Sequence, residues 1–266
     1  MSLSQEPAFS TLKKNFVCGA RDISNETYAG MSGRHGNFGN AIHTTNGAGP
    51  HNLQLFVMAC DGTVLTCLPG YWSPSDLAEE LSFASTLNDV WTNPSLSADE
   101  KKSAFRKMHL AHVQQHSPAM VRRSRMQGFD QAYEAEHRPY TSDCIRDPRL
   151  VQASMSSGMK PPPQAFKTTD QIMHERMASR PFLPYERFDV AAYSDYGKPL
   201  YDKHEDARDA RGGVDRELAK TLPRMGNPNA HGRGRMARYG QQEEARDPKL
   251  WGQATSATRK QWGSSE

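Results

Sequence analysis

Apolar positions crowd the first hundred residues and thin out afterwards. Leu53–Ala59 is a continuous apolar run, the pattern of a strand covered on both faces. Asp61-Gly62 follows it as a hairpin turn, because the turn needs positive φ and Gly supplies it without a Cβ clash. Thr63–Leu68 is the return strand, stopped by Pro69-Gly70. A shorter strand is expected over Thr11–Val17, running into Cys18-Gly19. Asp22–Gly49, rich in Gly, Asn, Ser and Thr, reads as loop. Ser73-Pro74-Ser75-Asp76 opens a helix with a capping residue and an early Pro. Leu77, Leu81, Ala84, Leu87 and Trp91 form its apolar face, and Asn93-Pro94 ends it. A second helix starts at Ser97-Ala98-Asp99-Glu100, carries Phe105, Met108, His109, His112 and His116, and stops before Pro118. A third is expected from Ala119 to about Glu136.

From Pro139 the punctuation changes. Pro161-Pro162-Pro163, Arg180-Pro181, Leu183-Pro184, Lys198-Pro199, Leu222-Pro223 and Asn227-Pro228 favour extended or turn conformations. Short helices fit Thr169–Ala178, Glu205–Ala219 and Gln241–Arg246. Aromatic residues stand singly between them: Phe182, Tyr185, Phe188, Tyr193, Tyr196, Tyr201, Tyr239, Trp251 and Trp262. Ordering a residue costs about 1–2 kcal/mol, and so sparse an apolar content does not offset that. The pattern predicts isolated anchors docking into pockets of a partner. The expected organisation is a compact head at 1–95, a helical segment at 96–138 and an extended basic arm with short helices at 139–266.

Composition supports the division. Hydrophobic residues make up 36% of the chain, with 17 Pro and 20 Gly, and the mean hydropathy is −0.78. Residues 1–99 carry four Lys and Arg against nine acids, while the remainder carries 29 against 21. An acidic head on a basic tail points to an interaction arm. Met1–Lys14 has no apolar core of a leader, and no run approaches the ~20 apolar residues of a membrane span. Four cysteines (Cys18, Cys60, Cys67 and Cys144) without a close pairing motif suit a reducing compartment, so a cytoplasmic location is expected.

The order strand, cysteine-bearing turn, loop, Gly-Pro, strand, Asp-Gly hairpin, strand, Pro-Gly-Tyr, helix resembles the thioredoxin-like fold. The residues that carry the likeness are Phe16-Val17-Cys18-Gly19-Ala20-Arg21, Gly49-Pro50 through Phe56, Cys60 through Leu65, and Leu68-Pro69-Gly70-Tyr71-Trp72. The resemblance spans about residues 8–92. It implies an α/β chain: a small thioredoxin-like domain, then helices and a long, mostly irregular C-terminal arm. It also implies that Cys18 stands at the first motif cysteine, Arg21 at the second, and Pro50 at the family's cis-proline. Cys-Gly-Ala-Arg in place of Cys-x-x-Cys leaves only monothiol chemistry within that motif.

Candidate chemistry is sparse. Arg21 and the free amides of the turn would favour the Cys18 thiolate, making Cys18, Arg21 and Pro50 the catalytic candidates. With a two-residue turn, Cys60 faces Thr63 and Cys67 faces Phe56, so these cysteines are not cross-strand neighbours. His35, His43 and His51, eight apart, match no compact metal motif. His109, His112 and His116 fall at i, i+3 and i+7 on one helix face but lack the Glu of a His-Glu-x-x-His motif. With Arg106 they read as a polar contact surface, and neither metal nor cofactor is expected.

Arg122, Arg123, Arg125, Arg233 and Arg235 suit phosphates or carboxylates. With Phe182, Tyr185, Tyr196, Trp251 and Trp262 they form the expected partner-binding set. Interspersed acids and aromatics favour a protein partner over nucleic acid. The leading expectation is an accessory or structural subunit of a larger protein complex. A monothiol oxidoreductase acting through Cys18 is the alternative, and an RNA- or ribosome-associated factor the weaker one.

Overall fold

A computed structural model describes residues 2–23, 25–30 and 44–198. The chain runs α1 (Ala8–Asn15), β1 (Gln54–Met58), β2 (Val64–Pro69), α2 (Pro74–Thr92), α3 (Ala98–Gln115), α4 (Pro118–Arg123), α5 (Gly128–His137), α6 (Pro148–Ser156), α7 (Thr169–Ala178) and α8 (Val190–Ser194). The described residues are thus mixed α and β with helices dominant, around a two-stranded antiparallel sheet. No helix among them is long and apolar enough to cross a membrane.

The hairpin forms where the apolar runs and Asp61-Gly62 place it. Phe56 lies opposite Cys67, as the turn predicts, but the register shifts between Val57 and Met58, so that Met58 pairs with Val64. The shift puts Ala59, not Cys60, against Thr63, whose carbonyl accepts from the Ala59 N–H at 2.9 Å. Gly62, at φ 84°, takes the left-handed conformation of the turn. Cys60 is an exposed free thiol and Cys67 a buried one. All six residues of β2 are buried, with α2 and α7 packed on it and α3 packed on both helices.

Three expectations are corrected. Thr11–Val17 is not a strand: α1 covers most of it, with Ala8 and Leu12 one turn apart against α2. The apolar residues there recur at helical rather than strand spacing. The helix expected over Ala119–Glu136 is two helices. Ser124 ends α4 through its N–H to the Met120 carbonyl, and Gly128 begins α5.

The largest correction concerns residues 139–198, which pack back on the head rather than lying extended. Phe182 packs against Trp91 and Phe105, with ring centroids 4.9 and 4.6 Å apart. Tyr185 and Phe188 meet Phe56 edge-on at 5.0 and 5.4 Å. The Tyr193 hydroxyl donates to the Cys67 carbonyl and that of Tyr196 to the Gly47 carbonyl, both at 2.7 Å. The Val64 N–H donates to Leu183, and the Tyr185 N–H to Gly62, giving the hairpin backbone partners it would otherwise lack. These anchors dock one by one, as their spacing suggests, but into the chain's own core. Tyr201, Arg233, Arg235, Tyr239, Trp251, Trp262 and the helices expected at Glu205–Ala219 and Gln241–Arg246 lie outside the described residues, as do His35 and His43.

Candidate metal centre

Three helices aim polar side chains at one buried point. Ser73 caps α2, its hydroxyl accepting from the Asp76 N–H. The register this sets turns Leu77, Glu80, Leu81, Ala84 and Leu87 inward, so a carboxylate sits within an apolar stripe. A capping box between Ser97 and Glu100 starts α3. Its inward face carries Phe105, His109 and His112, and His116 caps its C-terminal end. α7 contributes Asp170 and His174 beside the core residues Met173 and Met177.

Oε1 of Glu80 lies 3.2 Å from Nε2 of His174, 3.2 Å from Nε2 of His116 and 3.6 Å from Nε2 of His112. One ligand atom from each of these four residues falls within 4.8 Å of all the others. A tetrahedral ion with bonds of about 2.0–2.1 Å keeps its donors about 3.3 Å apart, close to these three separations. Glu80, His116 and His174 have fully buried side chains, and that of His112 is 14% exposed. Phe83 stacks on His112, with centroids 4.0 Å apart and planes 3° from parallel, holding its ring in place.

The hydrogen bonds around the centre fix where the ring protons sit. Nδ1 of His116 lies 2.7 Å from Oδ2 of Asp170, which accepts, so Nδ1 carries the proton. Nε2 of His109 lies 3.3 Å from the Leu65 carbonyl, which can only accept, so His109 carries a proton there. Its ring is fully buried against Phe83 and Phe105, and its hydrogen bonds run to a carbonyl and an imidazole rather than to a carboxylate, a setting that favours the neutral form. Its Nδ1 is therefore an acceptor, and Nδ1 of His174, 2.9 Å away, is the donor. Both His116 and His174 thus hold a proton on Nδ1, which turns Nε2 of each toward Glu80 as the nitrogen an ion would take. Metal-ligating histidines show this arrangement, with the far nitrogen bonded to a second shell.

The two carboxylates set the electrostatics of the cluster. Burial pushes the Glu80 carboxyl up, but His174 beside it and the close approach of His112 and His116 outweigh this and hold Glu80 well below its ordinary range. Burial likewise pushes His116 down, yet Asp170 and Glu80 raise it to about 9. Nε2 of His112 and of His116 face Glu80 without a good hydrogen bond, and Oε2 of Glu80 and Oδ1 of Asp170 have no partner. Such atoms cost about 1–3 kcal/mol each when left unsatisfied in an interior.

The sequence-derived candidates lie elsewhere. Cys18 is exposed. Arg21 is taken by an ion pair with Glu26 and a hydrogen bond to the Tyr185 hydroxyl. Pro50 is buried and follows a trans peptide bond, departing from the cis-proline the resemblance implies. Arg123 pairs with Asp76, while Arg122 and Arg125 are exposed. Among the partner-binding candidates, Phe182 and Tyr196 are core residues and Tyr185 is partly buried against that core. The histidine face of α3, expected as a contact surface, points inward. Glu80, Asp170 and His174 were not singled out in the sequence, although Glu80 inside the apolar stripe of α2 is a readable signal.

No protein-family model, curated protein or solved structure matches this chain.

Proposed function

We propose that this protein binds a single transition-metal ion, zinc by its donor set, at Glu80, His112, His116 and His174, and that the ion clamps α2, α3 and α7 together. The observation that carries the reading is the convergence of three Nε2 atoms on one buried carboxylate oxygen, two of them with the proton held on Nδ1. Three imidazoles and one carboxylate suit zinc and its neighbours and disfavour calcium and magnesium, which take oxygen donors. Glu80 and Asp170 also match a divalent ion charge for charge. Four protein ligands in a buried site describe a structural centre more closely than a catalytic one, which keeps a position for water.

The test is metal titration of the full chain after demetallation. Zinc is expected to bind one to one, tightly enough to compete with a chromophoric chelator, since structural sites bind with about 10–16 kcal/mol. Cobalt(II) in its place should give the intense visible bands of a tetrahedral site. Absence of binding, or binding that survives His174→Ala unchanged, would sink the proposal.

A metal-braced head fits the reading of an accessory or structural subunit of a larger protein assembly. The monothiol alternative draws support from the exposure of Cys18, although Arg21 is committed to Glu26 and Tyr185. Cys60 is equally available as an exposed thiol and provides the internal control. Faster alkylation of Cys18 than of Cys60 at neutral pH is the result this alternative expects, and equal rates remove it.

A further inference from the structure

His109 lies one helical turn from His112 and two from His116, yet it does not join the four converging residues. It is fully buried, with Phe105 and Phe83 against its ring at centroid distances of 4.4 and 5.0 Å. Its two nitrogens bridge Leu65 of β2 and His174 of α7. A histidine serving only to fill the core would have no reason to place both nitrogens in line between a backbone carbonyl and a second imidazole. Phenylalanine or leucine would fill the same volume without the cost of burying two polar atoms.

We propose that His109 is a positioning residue for the metal centre: it accepts the Nδ1 proton of His174 and so presents Nε2 of His174 to the ion. The proposal rests on the metal reading and deepens it. The path runs from the Leu65 carbonyl, through the Nε2–H and Nδ1 of His109, to the Nδ1–H of His174. His109 does for His174 what Asp170 does for His116. The two arms differ in kind, because one acceptor is a carboxylate and the other an imidazole. An anionic acceptor makes its histidine the more basic ligand, so His116 is the stronger donor and His174 the more readily tuned one. The hairpin is thereby wired to the centre through a side chain that never touches the ion.

Full-length protein labelled with nitrogen-15 at histidine tests this without a substitution. In the zinc-loaded chain, long-range nitrogen–proton spectra should show His109 protonated on Nε2 alone and His174 protonated on Nδ1. His109 protonated on Nδ1 would overturn the proposal while leaving zinc binding intact. Variants supply the second readout. His109→Leu removes the acceptor and should weaken zinc binding about 10–100-fold, with a shifted cobalt(II) spectrum. His109→Gln can accept from His174 and donate to Leu65, so it should restore affinity to within a few fold of the original. Equal affinity and an unchanged cobalt spectrum in a folded His109→Leu protein would reduce His109 to a core residue. A wild-type chain that takes up no metal would instead remove the proposed function itself, and this inference with it.

Discussion

Zinc added to the demetallated protein at a free concentration a thousand times its dissociation constant should raise the unfolding free energy by about 4 kcal/mol. That figure follows from mass action when only the folded state binds. For a folded region of 150–250 residues each kcal/mol moves the midpoint by about 2–4 °C, so the melting temperature should climb by roughly 8–16 °C. The geometry explains why the unfolded chain binds so much more weakly. Glu80 and His174 are 94 positions apart in sequence and His116 and Asp170 are 54 apart, so only the packed α2, α3 and α7 bring the ligands together. Scanning calorimetry at stepped zinc concentrations reads the effect directly. The midpoint should rise with the logarithm of free zinc once the site saturates. A midpoint indifferent to zinc, or one raised equally by magnesium, would contradict a nitrogen-rich centre.

Asp76→Ala should cost about 3 kcal/mol of stability, the range for breaking a buried charged pair. Asp76 is almost fully buried at the start of α2 and receives Nε and Nη2 of Arg123 at 2.8 and 2.5 Å and Nδ2 of Asn46 at 2.7 Å. Asn46 in turn accepts from the Ser73 N–H at 2.9 Å, so one carboxylate ties together the segment before the hairpin, the cap of α2 and the end of α4. Arg123 is 42% exposed on its side chain and can recover hydration, which keeps the loss toward the lower end. Urea unfolding gives the number, and a loss below about 1 kcal/mol would mean that water replaces the pair almost fully.

The same group sets an acid dependence. Burial raises the Asp76 carboxyl, but hydrogen bonds from Arg123, Asn46 and Ser73 outweigh it and leave it below its ordinary 3.8. A depressed folded value contributes stability at every pH above the unfolded one, and the contribution fades as pH falls through the folded value. The wild-type advantage over Asp76→Ala should therefore shrink below about pH 4 and be constant from there to neutrality.

Much of the head was legible because its signals are local. The hairpin follows from an apolar run, Asp61-Gly62 and a second run. The helices α2 and α3 follow from Ser73 and Ser97 as caps and from Leu77, Leu81, Ala84 and Leu87 at helical spacing. Residues 139–198 misled for a physical reason. Their apolar content is low because each anchor fills a pocket supplied by the head, so neither piece advertises the fit by itself. Phe182 needs Trp91 and Phe105, and Tyr196 needs Gly47.

The centre was half visible. The spacing of His109, His112 and His116 put them on one face, but nothing local says whether that face looks outward or inward. Glu80 within an apolar stripe and His174 between Met173 and Met177 are the clues that answer it. Both are non-local, since a lone buried carboxylate is unfavourable until its partners arrive.

Vectorial synthesis gives the arrangement a temporal order. Domains fold as their residues emerge, and Glu80, His112 and His116 leave the ribosome before α7. A nascent chain ending short of Thr169 holds three of the four converging residues, without the Asp170 brace or the third imidazole, that of His174. It also lacks Phe182, Tyr193 and Tyr196, which close the hydrophobic core. Completion of the proposed ion's cage and completion of the core are therefore one event, timed by the arrival of residues 169–196.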